Sequence, residues 1–141
     1  MISVSLDPGL EYATAVWQNT MLVAAYFRPP LRGPECVEPD VVIVEFPKYY
    51  EGGAPANKVI ELAFSAGIQA GNLGCDPLHL PKRVPTVALP KHEIYRRVRR
   101  VLSPDELITL DAALMGTPDR FRNNVVDAVR HGLVHHRRLL P

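Results

Sequence analysis

Three carboxylates in this chain stand where an acid is costly unless a cation accompanies it. Asp7 closes the short alternating run Ile2-Ser3-Val4-Ser5-Leu6 and is followed by Pro8-Gly9. Glu45 closes a second apolar run, Val41-Val42-Ile43-Val44, and Asp127 lies in the helical segment Asn124-Val125-Val126-Asp127-Ala128-Val129. Carboxylates at the ends of buried strands carry a large desolvation cost. Three that converge point to a bound divalent cation, and hard oxygen donors select Mg²⁺ or Mn²⁺. Taken singly, Asp7-Pro8-Gly9 is also good turn chemistry, and Asp127 also suits an exposed helix position. Glu45, directly after four β-branched residues, has little structural reason to be there, and the triplet shifts the balance toward chemistry.

The elements that must position these acids follow from local pattern. Alternation predicts strands over 2–6, 13–18 and 21–27, the last two joined by the polar pair Asn19-Thr20 as a hairpin, so the three form an antiparallel meander. Residues 28–40 hold four prolines and read as a loop. The continuous β-branched run 40–46 predicts a strand buried on both faces. A loop carrying Tyr49, Tyr50 and Gly52-Gly53 follows. A helix is predicted from 57 to about 73, with Val59, Leu62, Ala63, Ala66 and Ala70 near one face. Within the next Pro-rich stretch, 84–89 is a candidate last strand. The remainder is helical. Over 91–102, Ile94, Val98, Val101 and Leu102 make one stripe, and Arg96, Arg99 and Arg100 point the other way. Ser103-Pro104-Asp105-Glu106 is a capping box, and Thr117-Pro118 repeats the cap-then-proline start before the last helix.

Size and charge bound the reading. The 141 residues suit a single domain, 1–141, with a real core. No apolar run approaches the roughly 20 residues that span a bilayer, and the first residues lack the pattern of a secretory signal. Cys36 and Cys75 are too few and too far apart for a disulfide framework or metal cluster, so a reducing, cytoplasmic setting is expected. The net charge of +1 hides an asymmetry: residues 1–80 carry four Lys/Arg against nine Asp/Glu, and residues 81–141 carry twelve against six. An acidic half with the metal-ligand candidates and a basic half suit a phosphate-backbone partner, with solvated helix faces as the alternative.

The order β-β-β, loop, β, helix, β, helices, with acids after the first and fourth strands and in the last helix, resembles the RNase H-like nuclease superfamily. Within it, Ser5-Leu6-Asp7-Pro8-Gly9, Val42-Ile43-Val44-Glu45 and Val125-Val126-Asp127-Ala128 resemble the RuvC-type Holliday junction resolvases, and the short length resembles a phage-borne member. The resemblance implies a mixed five-stranded sheet flanked by helices. It also implies two Mg²⁺ ions held by Asp7, Glu45, Asp127 and Asn124, with Mn²⁺ able to substitute. Asn124 stands where a carboxylate is more common; its amide oxygen can ligate but brings no charge. Further implied are paired-metal hydrolysis of DNA phosphodiesters, with nicks ending in 5′-phosphate and 3′-hydroxyl, branched DNA as partner, and a homodimer matched to the two-fold symmetry of a four-way junction.

Candidate DNA contacts are Lys48 near the scissile phosphate and Tyr49 or Tyr50 stacking on an unpaired base, against a tyrosine pair packed under its own loop. The face Arg96, Arg99 and Arg100, flanked by Arg97 and extended by Lys82, Arg83 and Lys91, is a candidate phosphate track, against a solvated helix face. Arg137-Arg138 reads as an ordinary helix end. Asp127, His131 and His135 share a helix face, but matching zinc ligands are lacking elsewhere, and His131 reads as a surface histidine. Two other readings remain: an RNase H-like nuclease for structured RNA of the YqgF type, and a catalytically silent junction-binding module.

Overall fold

The computed structural model describes residues 1–28, 38–46, 52–73, 77–81 and 89–140. Five strands, β1 (Ile2–Asp7), β2 (Ala13–Gln18), β3 (Met21–Phe27), β4 (Val41–Phe46) and β5 (Pro77–Pro81), form one sheet in the order β3-β2-β1-β4-β5. The meander β1-β2-β3 is antiparallel, with Val4 opposite Val16 and Ala15 opposite Ala25. β4 lies parallel to β1, Leu6 beside Val44, and β5 lies parallel to β4. Asn19 adopts the left-handed conformation the hairpin requires, φ 56°.

Four helices follow: α1 (Ala56–Asn72), α2 (Lys91–Val101), α3 (Pro104–Met115) and α4 (Arg122–His135). They divide between the two faces of the sheet. Leu6 and Val44 pack with Ala66 of α1 on one face. On the other, Ala13, Ala15, Trp17, Leu22 and Ala25 meet Val98, Leu102, Leu110, Leu114 and the apolar side of α4. Small residues let α4 lie close. The Ser5 hydroxyl donates to the Ala128 carbonyl at 2.6 Å and accepts from the Trp17 indole N–H at 2.8 Å. A Cβ built on Gly132 would fall 2.2 Å from the Trp17 ring, so only glycine fits there.

Several elements differ from the sequence expectation. The fifth strand is Pro77–Pro81; of the expected strand at 84–89, residues 84–88 lie outside the described residues and Leu89 is not in a strand. Parallel pairing beside β4 selects 77–81 through register, a non-local choice that periodicity does not reveal. α1 buries Ala66, Gln69 and Ala70, while Ala63 is exposed and Ile60, Phe64 and Ile68 face outward. Small residues, not the largest apolar ones, bring this helix onto the sheet. The Ser103 capping box is present as expected. Thr117-Pro118 is not a second one: the Thr117 hydroxyl donates back to the Ala113 carbonyl at 2.7 Å, and a 3₁₀ turn, Asp119–Phe121, precedes α4.

Arg138 is the clearest correction. It makes a two-pronged ion pair, at 2.6 and 2.8 Å, with Glu106, which is 1% exposed, and also donates to the carbonyls of Thr20 and Val101. Glu106 in turn accepts the amides of Leu22 and Ser103. Burial alone would raise the Glu106 carboxyl, but Arg138 and the two amides outweigh it and bring it down to about 2. This node joins β3, α3 and the C-terminal segment across more than a hundred residues of chain, which no local pattern reveals.

Candidate active site

Strand parity places the first two acids. Leu6 and Val44 are paired neighbours facing α1, so Asp7 and Glu45, one residue further along parallel strands, both turn toward the α4 face. α4 runs back along β1: Asn124 reaches Glu11 beyond the end of β1, Ala128 meets Ser5, and His136 meets Ser3. Asp127 therefore lies over the end of β1 at the level of Asp7.

The electrostatics agree with that placement. The Asp7 carboxyl is pushed up from 3.8 to about 8, first by burial and then by Asp127, with Glu45 adding to the rise and Lys91 pulling the other way. Acids from β1, β4 and α4 thus share one field. The Lys91 ammonium, at the first position of α2, sits 3.0 Å from Asp127 Oδ2.

The turn after Asp7 is held from below. Gln69 of α1 is buried, donates through Nε2 to the Gly9 carbonyl at 2.6 Å, and accepts the Gly9 amide at 3.4 Å. Gly9 has φ 135°, a conformation closed to most side chains. Asn124 is held too: its Nδ2 donates to the Glu11 carbonyl at 2.5 Å. Arg28 pairs with the Glu11 carboxylate in the same loop. Neither Gln69 nor Glu11 carries a sequence signal, because each is far along the chain from the residue it holds.

Among the described residues, no group of three His, Cys, Asp or Glu side chains is arranged to hold a metal ion. Asp7, Glu45, Asp127 and Asn124 offer oxygen atoms around a half-buried acid whose ionised form is disfavoured first by burial and then by Asp127.

The candidate DNA contacts divide. Lys48, Tyr49, Tyr50, Lys82 and Arg83 lie outside the described residues. Lys91 stands beside the acids instead of on a separate track. Arg96 and Arg97 are exposed but share Glu93, and Arg100 is exposed. Arg99 does not join that outward face. It donates to Asp111 at 2.5 Å and to the Tyr95 hydroxyl at 3.0 Å, tying α2 to α3. His131 is buried at 6% exposure, contrary to a surface position, because its side of α4 is packed on the sheet. His135 and His136 meet edge to face at 4.9 Å, and burial lowers both imidazoles.

A mixed sheet ordered β3-β2-β1-β4-β5, with an antiparallel meander and two added parallel strands, makes this an RNase H-like α/β fold. No protein-family model matches the sequence, and no curated protein does. Among solved structures the chain is similar to T. thermophilus RuvC in complex with a Holliday junction substrate: 15% identity, 96% of this chain, 92% of that chain, TM-score 0.49. It is similar also to a second Thermus thermophilus RuvC structure: 13% identity, 97% of this chain, 96% of that chain, TM-score 0.42. Among the described residues, no helix is long and apolar enough to cross a membrane.

Proposed function

We propose that the protein is a divalent-metal-dependent endonuclease that cuts branched DNA, four-way junctions above all, by hydrolysing phosphodiester bonds at the Asp7 site. The observation that carries this reading is the placement of the Asp7 carboxyl at the end of the central strand, where burial, and after it Asp127 and Glu45, push it up to about 8. A cation there would restore the ionised form. Asp7, Glu45 and Asp127 would hold Mg²⁺ or Mn²⁺, with the Asn124 amide oxygen at the edge of the set. The bound metal would supply an activated water and charge stabilisation at the phosphate. The protein's part is to fix the acids: Gln69 clamps the turn after Asp7, and Glu11 orients Asn124. Arg96, Arg97 and Arg100 would steer the DNA backbone, and Lys48, Tyr49, Tyr50 and Lys82 would add contacts. A two-fold substrate calls for a homodimer, and a DNA substrate for action in the cytoplasm, of a host cell if the chain is phage-borne.

Two observations favour a silent junction-binding module instead: Asp127 is already paired with Lys91, and Asn124 is neutral. The deciding experiment is cleavage of a labelled four-way junction with Mg²⁺ or Mn²⁺, beside matched linear duplex, structured RNA and Asp7→Asn. Paired nicks on the junction, absent in the variant, support the resolvase. Binding without cutting supports the silent module, and cutting of RNA alone supports the YqgF-type reading.

A further inference from the structure

We infer that the outer face of α1 is the surface through which two copies of this chain pair. The need for a pair rests on the nuclease reading above, and the choice of surface rests on α1 itself.

Ile60, Phe64 and Ile68 stand four residues apart on one side of α1 and are 68%, 70% and 50% exposed. One large exposed side chain is ordinary; three in a row make an apolar ridge that no described residue covers. Beside the ridge runs a second row, Ala63, Gly67 and Gly71, also exposed and also four residues apart. A Cβ added at Gly67 or Gly71 would meet nothing within 4 Å, so the chain's own packing does not call for glycine there. Glycine within a helix is unfavourable unless another group approaches closely. The face is therefore a ridge of large residues next to a shallow groove.

Shape and charge select a second copy as the occupant. When two such helices cross, the ridge of each lies in the groove of the other, which is how rows spaced by four residues pack. The row is symmetric about Phe64. A two-fold axis there sets the Ile60 end of one copy against the Ile68 end of the other, so the face is complementary to itself. From Leu62 to Leu73 the chain carries no charged residue, so this face offers no cation to a nucleic-acid phosphate. Lys58 and Glu61, nearer the start of α1, pair with each other. Two such faces together hide on the order of 1,000 Å², about the least a specific interface uses. α1 packs on the sheet face opposite α4, so pairing through it leaves the Asp7 side open.

The test is sedimentation equilibrium of the whole chain, without DNA, for wild type and two doubly charged variants. One variant carries Ile60→Glu with Ile68→Glu, and the other carries Ile60→Lys with Ile68→Lys. Both positions are exposed, so the replacements spare the core, and matched circular dichroism shows that each variant is folded. We expect wild type to dimerise across the micromolar range. Each variant alone should associate at least about tenfold more weakly, through like-charge repulsion. An equimolar mixture of the two should recover a dimer, which only a face that meets itself produces. A monomeric wild type, a dimer unchanged in both variants, or a mixture that stays monomeric overturns the inference. Junction cleavage by wild type is scored separately. Cutting by a protein that pairs elsewhere leaves the nuclease reading standing, and pairing through α1 without cutting sinks that reading alone.

Discussion

Asp7→Asn should stabilise the metal-free protein by an amount that grows with pH. The Asp7 carboxyl sits at about 8 in the fold against 3.8 ordinarily. Between those values the folded chain keeps a proton that the unfolded chain has released. Stability is therefore highest below about 4 as far as this group is concerned, and is lost as pH climbs toward 8. At about 1.4 kcal/mol per pH step above 3.8, the ceiling on the cost at pH 7 is roughly 4 kcal/mol. Asparagine does not titrate, so the variant escapes this slope, although its amide must still find partners. Urea unfolding of both proteins in EDTA at pH 5, 6.5 and 8 reads the effect of Asp7 with the neighbours it is coupled to, because distant titrating groups cancel in the difference. The variant should gain at least about 1 kcal/mol on wild type between pH 5 and 8. Added Mg²⁺ should raise the stability of wild type and leave the variant unmoved. A wild-type-to-variant difference that is flat with pH would refute the half-buried, acid-crowded placement of Asp7.

Glu106 supplies the opposite slope: held at about 2 against 4.5, it contributes stability that is present above pH 4.5 and lost as pH falls toward 2, visible as acid unfolding that Glu106→Gln blunts. Arg138→Met should cost about 3–5 kcal/mol in urea unfolding, because it strands a buried carboxylate, and the double variant Arg138→Met with Glu106→Leu should recover part of that. Gly132→Ala should destabilise by roughly 1–3 kcal/mol or more through collision with Trp17. Gly67→Ala, in open space on α1, should instead be neutral or stabilising by up to about 1 kcal/mol. Gln69→Ala should cost about 1–3 kcal/mol by leaving the Gly9 backbone unpaired, and should lower junction cleavage more than junction binding. Replacing Arg96, Arg97 and Arg100 together should reduce the salt slope of DNA binding by roughly 0.9 per lost phosphate contact, as followed by fluorescence anisotropy; Arg99→Gln should act mainly on stability, through Asp111.

The meander and the starts of α2 and α3 were legible in the chain because they rest on local rules. β2 and β3 begin and end at the residues expected, Ala13–Gln18 and Met21–Phe27, and α2 and α3 follow the proline and capping signals at Pro90 and Ser103. Asp7 and Glu45 stood out in the sequence for a related reason: an acid that ends a run of apolar strand residues breaks the pattern around it, and the structure sets the two on neighbouring parallel strands. The motif order also pointed to the RNase H-like class, which the strand order bears out.

Tertiary structure decided everything that depends on distant partners. It chose Pro77–Pro81 as the fifth strand by register against β4, and turned Ala66, Gln69 and Ala70 of α1 inward. It moved Arg138 from a helix end into a buried pair with Glu106, and His131 from the surface into the interior. It took Arg99 for Asp111 and brought Lys91 onto Asp127. The physical reason is common to all of these. Alternation, caps and turns act between residues a few positions apart, and the sequence displays them directly. A charge finds its partner through space, and that partner is known only when the chain is folded.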